Sequence, residues 1–330
     1  MVRDCYLVRS AYDQPMRALV TGGAGFIGSN VVDALLARGD EVAVIDDLST
    51  GRIENLEGAL AAGAIFHQLD IRDADAVTTA FEAARPEVVF HFAAQMDVRR
   101  SLAGPAFDAS VNVVGTINVL EAAHTSGARR LINTSTGGAI YGETEVMPTP
   151  ETVVPAPVSA YGQSKQCAEL YCAWAGRARG LETVTLRYGN VYGPRQNPAS
   201  EAGVVAIFSG RLLSGKQATV FGDGTARRDY TFISDIVAAN FLAATHPDPR
   251  GPYNIGTGID SSVLELIEAI DAAAAPGEAP LNVEFAAARE GELQRSSLDV
   301  SLARDELGFS AATDLKSGVA ATVEALRAKN

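Results

Sequence analysis

Two side chains capable of proton chemistry lie one helical turn apart in the segment Tyr161-Gly-Gln-Ser-Lys165. If this segment is helical, the i,i+4 spacing puts the phenol and the ammonium on one face, where the two groups interact electrostatically. Tyrosine has an ordinary pKa of about 10 and is a poor base at neutral pH until a positive charge stabilises its phenolate. Lowering that pKa to roughly 7 requires about 4 kcal/mol, which Lys165 together with a bound cation can supply. The pair predicts a general base, provided that other elements build a pocket around it.

A glycine-rich turn near the start of the chain predicts the first of these elements. Residues 18–20 form a short apolar run, residues 21–28 read Thr-Gly-Gly-Ala-Gly-Phe-Ile-Gly, and a helical pattern follows. Strand, glycine turn and helix in this order are the context of a dinucleotide-binding fingerprint, in which backbone N–H groups and the helix N-terminus bind a pyrophosphate. The residues expected to contact the cofactor here are Gly22, Gly25, Phe26, Ile27 and Gly28.

An acidic pair follows the next predicted strand, residues 41–45, about 20 residues beyond the glycines. Asp46, with Asp47 beside it, can accept hydrogen bonds from the adenosine ribose and would repel a 2′-phosphate. The predicted cofactor is therefore NAD rather than NADP. Arg52 lies close by in the sequence and is the one feature that argues for NADP instead.

Three further strand patterns, at residues 64–67, 88–92 and 130–133, alternate with helix patterns at 73–84 and 108–126. This alternation predicts an α/β fold, a Rossmann-type doubly wound parallel sheet that binds ligands beyond the carboxyl ends of its strands. The residues expected at or near those ends are Asp70, Ile71, Phe92, Ala93, Ala94 and Asn112.

Hydroxyl side chains end the strand at 130–133, where the sequence from residue 133 reads Asn-Thr-Ser-Thr-Gly-Gly-Ala-Ile-Tyr-Gly. A hydroxyl at this edge of the sheet could hold a substrate oxygen beside the phenolate. Thr136 is the first choice for this role and Ser135 the second.

These motifs together resemble the extended short-chain dehydrogenase/reductase family, and most closely its UDP-glucose 4-epimerase-like branch of nucleotide-sugar enzymes. The resemblance covers residues 16 to about 325 and rests on the glycine turn, Asp46, Asp70-Ile71, Phe92-Ala93-Ala94, the Ser/Thr strand end before Ala139-Ile-Tyr-Gly142, and Tyr161-x-x-x-Lys165. It implies tightly bound NAD, a UDP- or dTDP-sugar substrate, epimerisation at C4 through a transient 4-keto sugar, and a homodimer formed through two helices of each subunit.

The resemblance also implies further site residues. Tyr188, Tyr161 and Lys165 would lie near the nicotinamide end of the cofactor. Thr136 would support the sugar 4-oxygen. The predicted substrate contacts are Asn190 and Arg195 in the loop after the strand at 183–187, Arg228 and Arg289 at the diphosphate, and Ser296 near the hexose. A residue as small as Ser296 would leave room for an N-acetyl group.

Alternative activities stay open within the family. The 4,6-dehydratases carry an Asp-Glu pair after the strand-end threonine, whereas this chain has Gly137-Gly138, which removes most of the support for dehydration. A nucleotide-sugar uronate epimerase or decarboxylase, or another NAD-dependent nucleotide-sugar oxidoreductase, would use similar machinery. A non-catalytic NAD-binding sensor is the alternative from a different class, and the intact Tyr161-Lys165 pair argues against it.

Composition narrows the possible partners. A formal net charge of −13 opposes binding to nucleic acid, and no apolar run is long enough to span a membrane. The three cysteines, Cys5, Cys167 and Cys172, have no metal-binding or disulfide spacing, which favours a reduced, cytoplasmic setting. We expect an N-terminal tail at 1–15, a cofactor domain at 16–188 and 229–256, and a smaller α/β substrate domain at 189–228 and 257–330.

Overall fold

The computed structural model describes residues 15–198, 203–288 and 293–328 of the chain. Its strands are β1 (Arg17–Thr21), β2 (Glu41–Asp46), β3 (Ile65–Gln68), β4 (Val88–His91), β5 (Arg130–Thr136), β6 (Glu182–Tyr188), β7 (Asn190–Tyr192), β8 (Ala218–Phe221), β9 (Arg227–Arg228), β10 (Tyr230–Phe232), β11 (Tyr253–Ile255), β12 (Ser261–Ser262), β13 (Val283–Ala286) and β14 (Arg295–Ser296). Its helices are α1 (Phe26–Arg38), α2 (Glu57–Ala61), α3 (Ala74–Ala84), α4 (Val98–Ala103), α5 (Pro105–Ala109), α6 (Thr116–Thr125), α7 (Gly137–Ile140), α8 (Ala160–Arg179), α9 (Val204–Ser214), α10 (Ile233–Thr245), α11 (Val263–Ala272) and α12 (Leu315–Arg327).

Seven strands form the central sheet in the order β11-β6-β5-β4-β1-β2-β3, and all of them are parallel. The chain adds β2 and β3 on one side of β1 and the remaining strands on the other side, so the strand order reverses at β1. Thr21, the last residue of β1, pairs with Ile45 on one side and with His91 on the other. A crevice for ligands opens at such a reversal, beyond the carboxyl ends of the strands. The predicted doubly wound parallel sheet is confirmed.

Helices cover both faces of the sheet, which explains why its strands are nearly continuous apolar runs. Helices α1, α2 and α10 contribute to one buried cluster, and α3, α6 and α8 contribute to the other. A π-helical turn, Ser110–Gly115, joins α5 to α6, so the helical pattern predicted at 108–126 forms with this interruption. Among the described residues, no helix has both the length and the apolarity that crossing a bilayer requires.

The helix that carries the Tyr-Lys pair has well-defined ends. Ser159 caps its N-terminus by accepting a hydrogen bond from the Gly162 N–H at 3.1 Å. Gly180 ends it in the left-handed conformation, with φ of 71°, which glycine adopts without steric cost. The cap fixes the first turn of α8, and therefore the position of Tyr161.

A third buried cluster lies outside the central sheet. Helices α9, α11 and α12 pack around it together with short strands, among them the parallel pair β8 and β13. The three-stranded unit β12-β9-β14 belongs to the same C-terminal part of the chain. The domain boundaries drawn from the sequence stay a prediction, and residues 1–14 of the predicted tail lie outside the described residues.

Candidate active site

The glycine turn between β1 and α1 is packed closely against other backbone atoms at Gly22 and Gly28. Gly22 has φ of +70°, and a Cβ added to it would lie 2.6 Å from the backbone nitrogen of Ala93. At Gly28 an added Cβ would lie only 2.2 Å from the carbonyl oxygen of Gly22. The turn thus brings backbone N–H groups and the N-terminus of α1 to the carboxyl edge of the sheet. This cradle fits a pyrophosphate, the group that the sequence motif predicts.

Asp46 is buried at the end of β2 and holds the same turn. Its carboxylate accepts hydrogen bonds from the Ala24 N–H at 2.9 Å and from the Leu48 N–H at 2.8 Å. Burial raises the pKa of Asp46, and these backbone donors act in the opposite direction. A carboxylate keeps acceptor capacity after two such bonds, so Asp46 can organise the turn and also accept from a ribose hydroxyl. Its neighbour Asp47 is exposed.

The predicted adenosine side of the crevice lies after β3 and β4. Asp70 forms a two-pronged ion pair with Arg72, which holds the pKa of that carboxyl below its usual range. Ile71 is buried against Gly115, where an added Cβ would lie 2.5 Å from the Ile71 Cδ1. Residues 92–94 continue half-buried from β4 towards the glycine turn.

Tyr161 and Lys165 lie one turn apart in the first part of α8, as predicted. The Tyr161 N–H donates to the Ser101 hydroxyl of α4 at 3.0 Å, and the Ser164 hydroxyl donates to the Tyr161 carbonyl at 3.0 Å. Tyr161 is half-buried, and Lys165 is 4% exposed. The pair therefore lies in an environment where charges act strongly on one another.

Burial dominates the acid–base properties of the pair. It raises the pKa of Tyr161 to about 12, while the Thr136 hydroxyl, as a hydrogen-bond partner, lowers it in part. Burial also lowers the pKa of Lys165 to about 8, against the opposing charges of Glu169 and Asp108. Without a further charge the phenol thus stays protonated at neutral pH, and the expectation that Lys165 acts together with a bound cation stays a prediction. An additional positive charge is needed beside the phenol.

The strand end of β5 faces this helix. Thr136, the last residue of β5, is the hydroxyl that acts on Tyr161, whereas the buried Ser135 hydroxyl has no hydrogen-bond partner among the described residues. At Gly137 an added Cβ would lie 2.5 Å from the Leu298 Cδ1, so the Leu298 side chain would have to shift to admit it. At Gly138 the space is open, and an added Cβ would meet only the Asn190 side-chain oxygen, at 3.5 Å.

Two predicted substrate residues lie side by side in the small C-terminal sheet. Arg228 of β9 pairs in parallel register with Ser296 of β14, and the same segment continues to Leu298, which packs on Gly137. This continuity links the predicted diphosphate and hexose contacts to the strand end that carries Thr136. Arg289, the second predicted diphosphate residue, lies outside the described residues.

Two other predicted site residues direct their polar groups elsewhere. Arg195, with φ of +74°, forms an ion pair with Asp33 of α1, so its guanidinium is engaged by the helix that follows the glycine turn. The buried Tyr188 hydroxyl accepts a hydrogen bond from the Asn240 side chain of α10 at 2.7 Å. The roles predicted for these residues and for the rest of the site stay predictions.

The sequence interpretation missed the residues that hold the first turn of α8, among them Ser101, Asp108 and Ser164. Asp108 and the predicted cofactor contact Asn112 are four residues apart in one helical segment. That i,i+4 spacing of an acid and an amide was the available signal.

A seven-stranded Rossmann sheet, a glycine cradle and a Tyr-Lys pair at the carboxyl edge define an NAD-dependent nucleotide-binding enzyme of the short-chain dehydrogenase/reductase type. Residues 18–256 match the sequence model of the NAD dependent epimerase/dehydratase family, and the chain belongs to that family. The resemblance drawn from the motifs and the predicted NAD dependence are thereby confirmed.

Individual relatives are similar over nearly their full length. The UDP-glucose 4-epimerase of Mycolicibacterium smegmatis is 46% identical over 317 residues, which is 96% of this chain and 100% of the relative. The crystal structure of the Thermotoga maritima UDP-glucose 4-epimerase with UDP-glucose superposes with a TM-score of 0.89 at 43% identity, covering 94% of this chain and 99% of the other. The Thermus thermophilus UDP-glucose 4-epimerase in complex with NAD gives a TM-score of 0.87 at 44% identity with the same coverage.

Proposed function

We propose that this protein is an NAD-dependent isomerase that inverts C4 of a nucleotide-diphosphate hexose of the UDP-glucose and UDP-galactose type, including N-acetylated forms. One observation carries the proposal: the half-buried Tyr161 and the buried Lys165 face a strand end that bears Thr136 and then Gly137-Gly138, without a second acid and base. The activity named for the M. smegmatis relative, at 46% identity over 96% of this chain, supports it.

Tyr161 is the base of this proposal and takes the proton of the sugar 4-hydroxyl. The glycine turn from Gly22 to Gly28, together with Asp46, would hold NAD, which would supply a hydride acceptor for C4 of the sugar and a positive charge beside the phenol. Because burial holds the phenol protonated, with a pKa of about 12, Tyr161 becomes a base only when positive charge is added beside it. Lys165 contributes one such charge below a pH of about 8, where its ammonium is intact. Thr136 holds the 4-oxygen next to the phenol.

The substrate's diphosphate is held by arginines, so that the hexose alone turns between the two hydride transfers. Arg228 is assigned to this task because a planar guanidinium binds phosphate through two parallel hydrogen bonds. Its register with Ser296 supports a hexose contact next to the phosphate contact. Arg289 is proposed as the second diphosphate ligand. The open space at Gly138, next to the Asn190 side chain, is assigned to the turning sugar.

The domain division is part of the proposal. The third buried cluster and the small sheets support a nucleotide-sugar-binding domain at 189–228 and 257–330, beside a cofactor domain at 16–188 and 229–256. A cytoplasmic location is proposed because the two described cysteines, Cys167 and Cys172, are free thiols.

A homodimer is proposed through the outer faces of α4 and α8. Leu102 and Leu170 are 61% and 64% exposed on these neighbouring helices, and Trp174 adds an aromatic ring to the same face of α8. We expect light scattering on a sizing column to give twice the 34.5 kDa of one chain. The Leu170→Glu variant, which puts a charge into this face, should give the monomer mass. A wild-type monomer would contradict the proposal.

The proposed activity is tested by incubating the purified enzyme with a panel of UDP- and dTDP-sugars without added cofactor. Separation of C4 epimers should show interconversion of glucose and galactose forms, with no net absorbance change at about 340 nm because the cofactor is regenerated in each cycle. Accumulation of a 4-keto-6-deoxy sugar would indicate a dehydratase instead. A pentose product would indicate a decarboxylase.

A further inference from the structure

A buried carboxylate outside the Tyr-Lys pair has one oxygen without a partner. Asp108 of α5 is 1% exposed, and its Oδ1 accepts hydrogen bonds from the Gln95 side-chain amide at 2.7 Å and from the Asn112 amide at 3.2 Å. Its Oδ2 has no hydrogen-bond partner among the described residues, and no ion pair involving Asp108 is found there either. Burying a carboxylate with a free oxygen is costly, so the position calls for a function.

A chain of hydrogen bonds connects Asp108 to the catalytic helix. The Asn112 amide donates to the Ser164 hydroxyl at 3.0 Å, and that hydroxyl donates to the Tyr161 carbonyl at 3.0 Å. The Asn112 side-chain oxygen accepts from the Gln95 N–H at 2.8 Å, which locks the amide in one orientation. A change at Asp108 therefore reaches the first turn of α8 through two side chains.

Asp108 is one of several ionisable groups around Lys165. Glu169 acts on Lys165 from its own helix, where Cys172 is a neutral thiol because burial raises its pKa to about 12, and His91 faces Lys165 from β4. The Glu169 carboxylate is already engaged by the buried Arg187, at 2.6 Å. His91 is buried with its pKa lowered to about 3, so it carries no charge at neutral pH.

Asp108 faces the pair from a different element, and its negative charge acts on both members. A nearby carboxylate favours the protonated form of an amine and of a phenol. For Lys165 this opposes the effect of burial, and for Tyr161 it adds to that effect. Asp108 is thus an acidic group that faces the pair from outside α8.

We propose that Asp108 is a positioning residue of the epimerase site, which holds the start of α8 through Asn112 and Ser164 and supplies the negative charge that keeps the Lys165 ammonium protonated. This inference rests on the proposed function, since it assigns a role towards the same Tyr-Lys pair. It predicts that Asp108 raises the upper pH limit of the reaction.

The Asp108→Asn variant tests the charge directly, because the amide has the shape of the carboxylate and keeps an acceptor oxygen for Gln95. Enzyme labelled with ¹³C at the lysine Cε reports the protonation of Lys165 by NMR, with no substrate required and with Lys216 and Lys316 as internal references. The Lys165 midpoint should fall from about 8 by roughly one pH unit, the size expected when a unit charge is removed from a buried site. The alkaline limb of the epimerisation rate should shift with it.

Control variants distinguish the loss of the Asp108 charge from a disturbance of the structure. Asp108→Glu keeps the charge and should keep the midpoint, and Asp248→Asn makes the same chemical change at an exposed position, where no shift is expected. Asp108→Ser removes the charge with a smaller side chain and should show the same shift, which provides a second route if the Asn variant does not fold. An unchanged Lys165 midpoint in both uncharged variants would overturn the proposal. Absence of epimerisation by the wild type would instead refute the proposed function, and the NMR result would stand apart from it.

Discussion

Replacing Tyr161 by Phe is expected to lower the epimerisation rate roughly 1,000-fold, in the range typical of losing a general acid or base. The phenol oxygen is the only part removed, so the fold and the glycine cradle stay intact. Bound NAD, released by denaturation and quantified, should remain at the wild-type level. The thermal midpoint should change little or rise, because a buried hydroxyl is replaced by hydrogen.

Tyr171→Phe provides the matched control on the same helix. Tyr171 is 40% exposed on α8, so removing its hydroxyl should leave turnover unchanged. A Tyr161→Phe enzyme that keeps more than about a tenth of wild-type activity would show that another group takes the proton.

Replacing Gly28 by Ala is expected to abolish NAD retention. The added methyl would lie 2.2 Å from the Gly22 carbonyl oxygen and 2.8 Å from the Gly23 Cα, both of which are backbone atoms. The turn that forms the pyrophosphate cradle would have to move, at a cost of about 1–3 kcal/mol for overpacking. The protein should therefore purify with little bound NAD, and its thermal midpoint should fall.

Gly58→Ala is the corresponding control. Gly58 lies in α2, has an ordinary helical backbone, and an added Cβ would meet no atom within 4 Å. Alanine there should stabilise the protein by up to about 1 kcal/mol, because it is the better helix former. If Gly28→Ala purified with full NAD occupancy, the cradle would not be the pyrophosphate site.

The local elements of the fold could be predicted because each one follows from a short pattern. The strand predicted at 64–67 lies at Ile65–Gln68, and the helix predicted at 73–84 lies at Ala74–Ala84. The glycine turn was recognisable because only glycine fits where the backbone of Gly28 meets that of Gly22, a constraint within seven residues. Parallel order then follows from the alternation of strands and helices.

Contacts between distant parts of the chain could not be predicted in the same way. The ion pair of Arg195 with Asp33 joins residues 162 positions apart, and no pattern in the sequence links them. The network that connects Asp108 to α8 likewise depends on how three helical segments pack. Neither arrangement is encoded in the spacing of a single motif.

The effect of burial on the pKa of Tyr161 could not be predicted from the sequence either. The sequence predicted that Lys165 and a bound cation lower the pKa of the phenol, but it could not show that the cost of removing the phenolate from water raises that pKa to about 12. Desolvation depends on the whole tertiary structure, so residue types and spacing cannot reveal its size.

The central claim is that hydride leaves C4 of the sugar and returns to the same carbon within one enzyme. It is tested most directly by following UDP-glucose that carries deuterium at C4 through the epimerisation assay in ordinary water. The account predicts UDP-galactose with the deuterium still at C4, since the proton handled by Tyr161 is on oxygen and only that one exchanges with solvent. Loss of the deuterium to water during inversion would contradict the account.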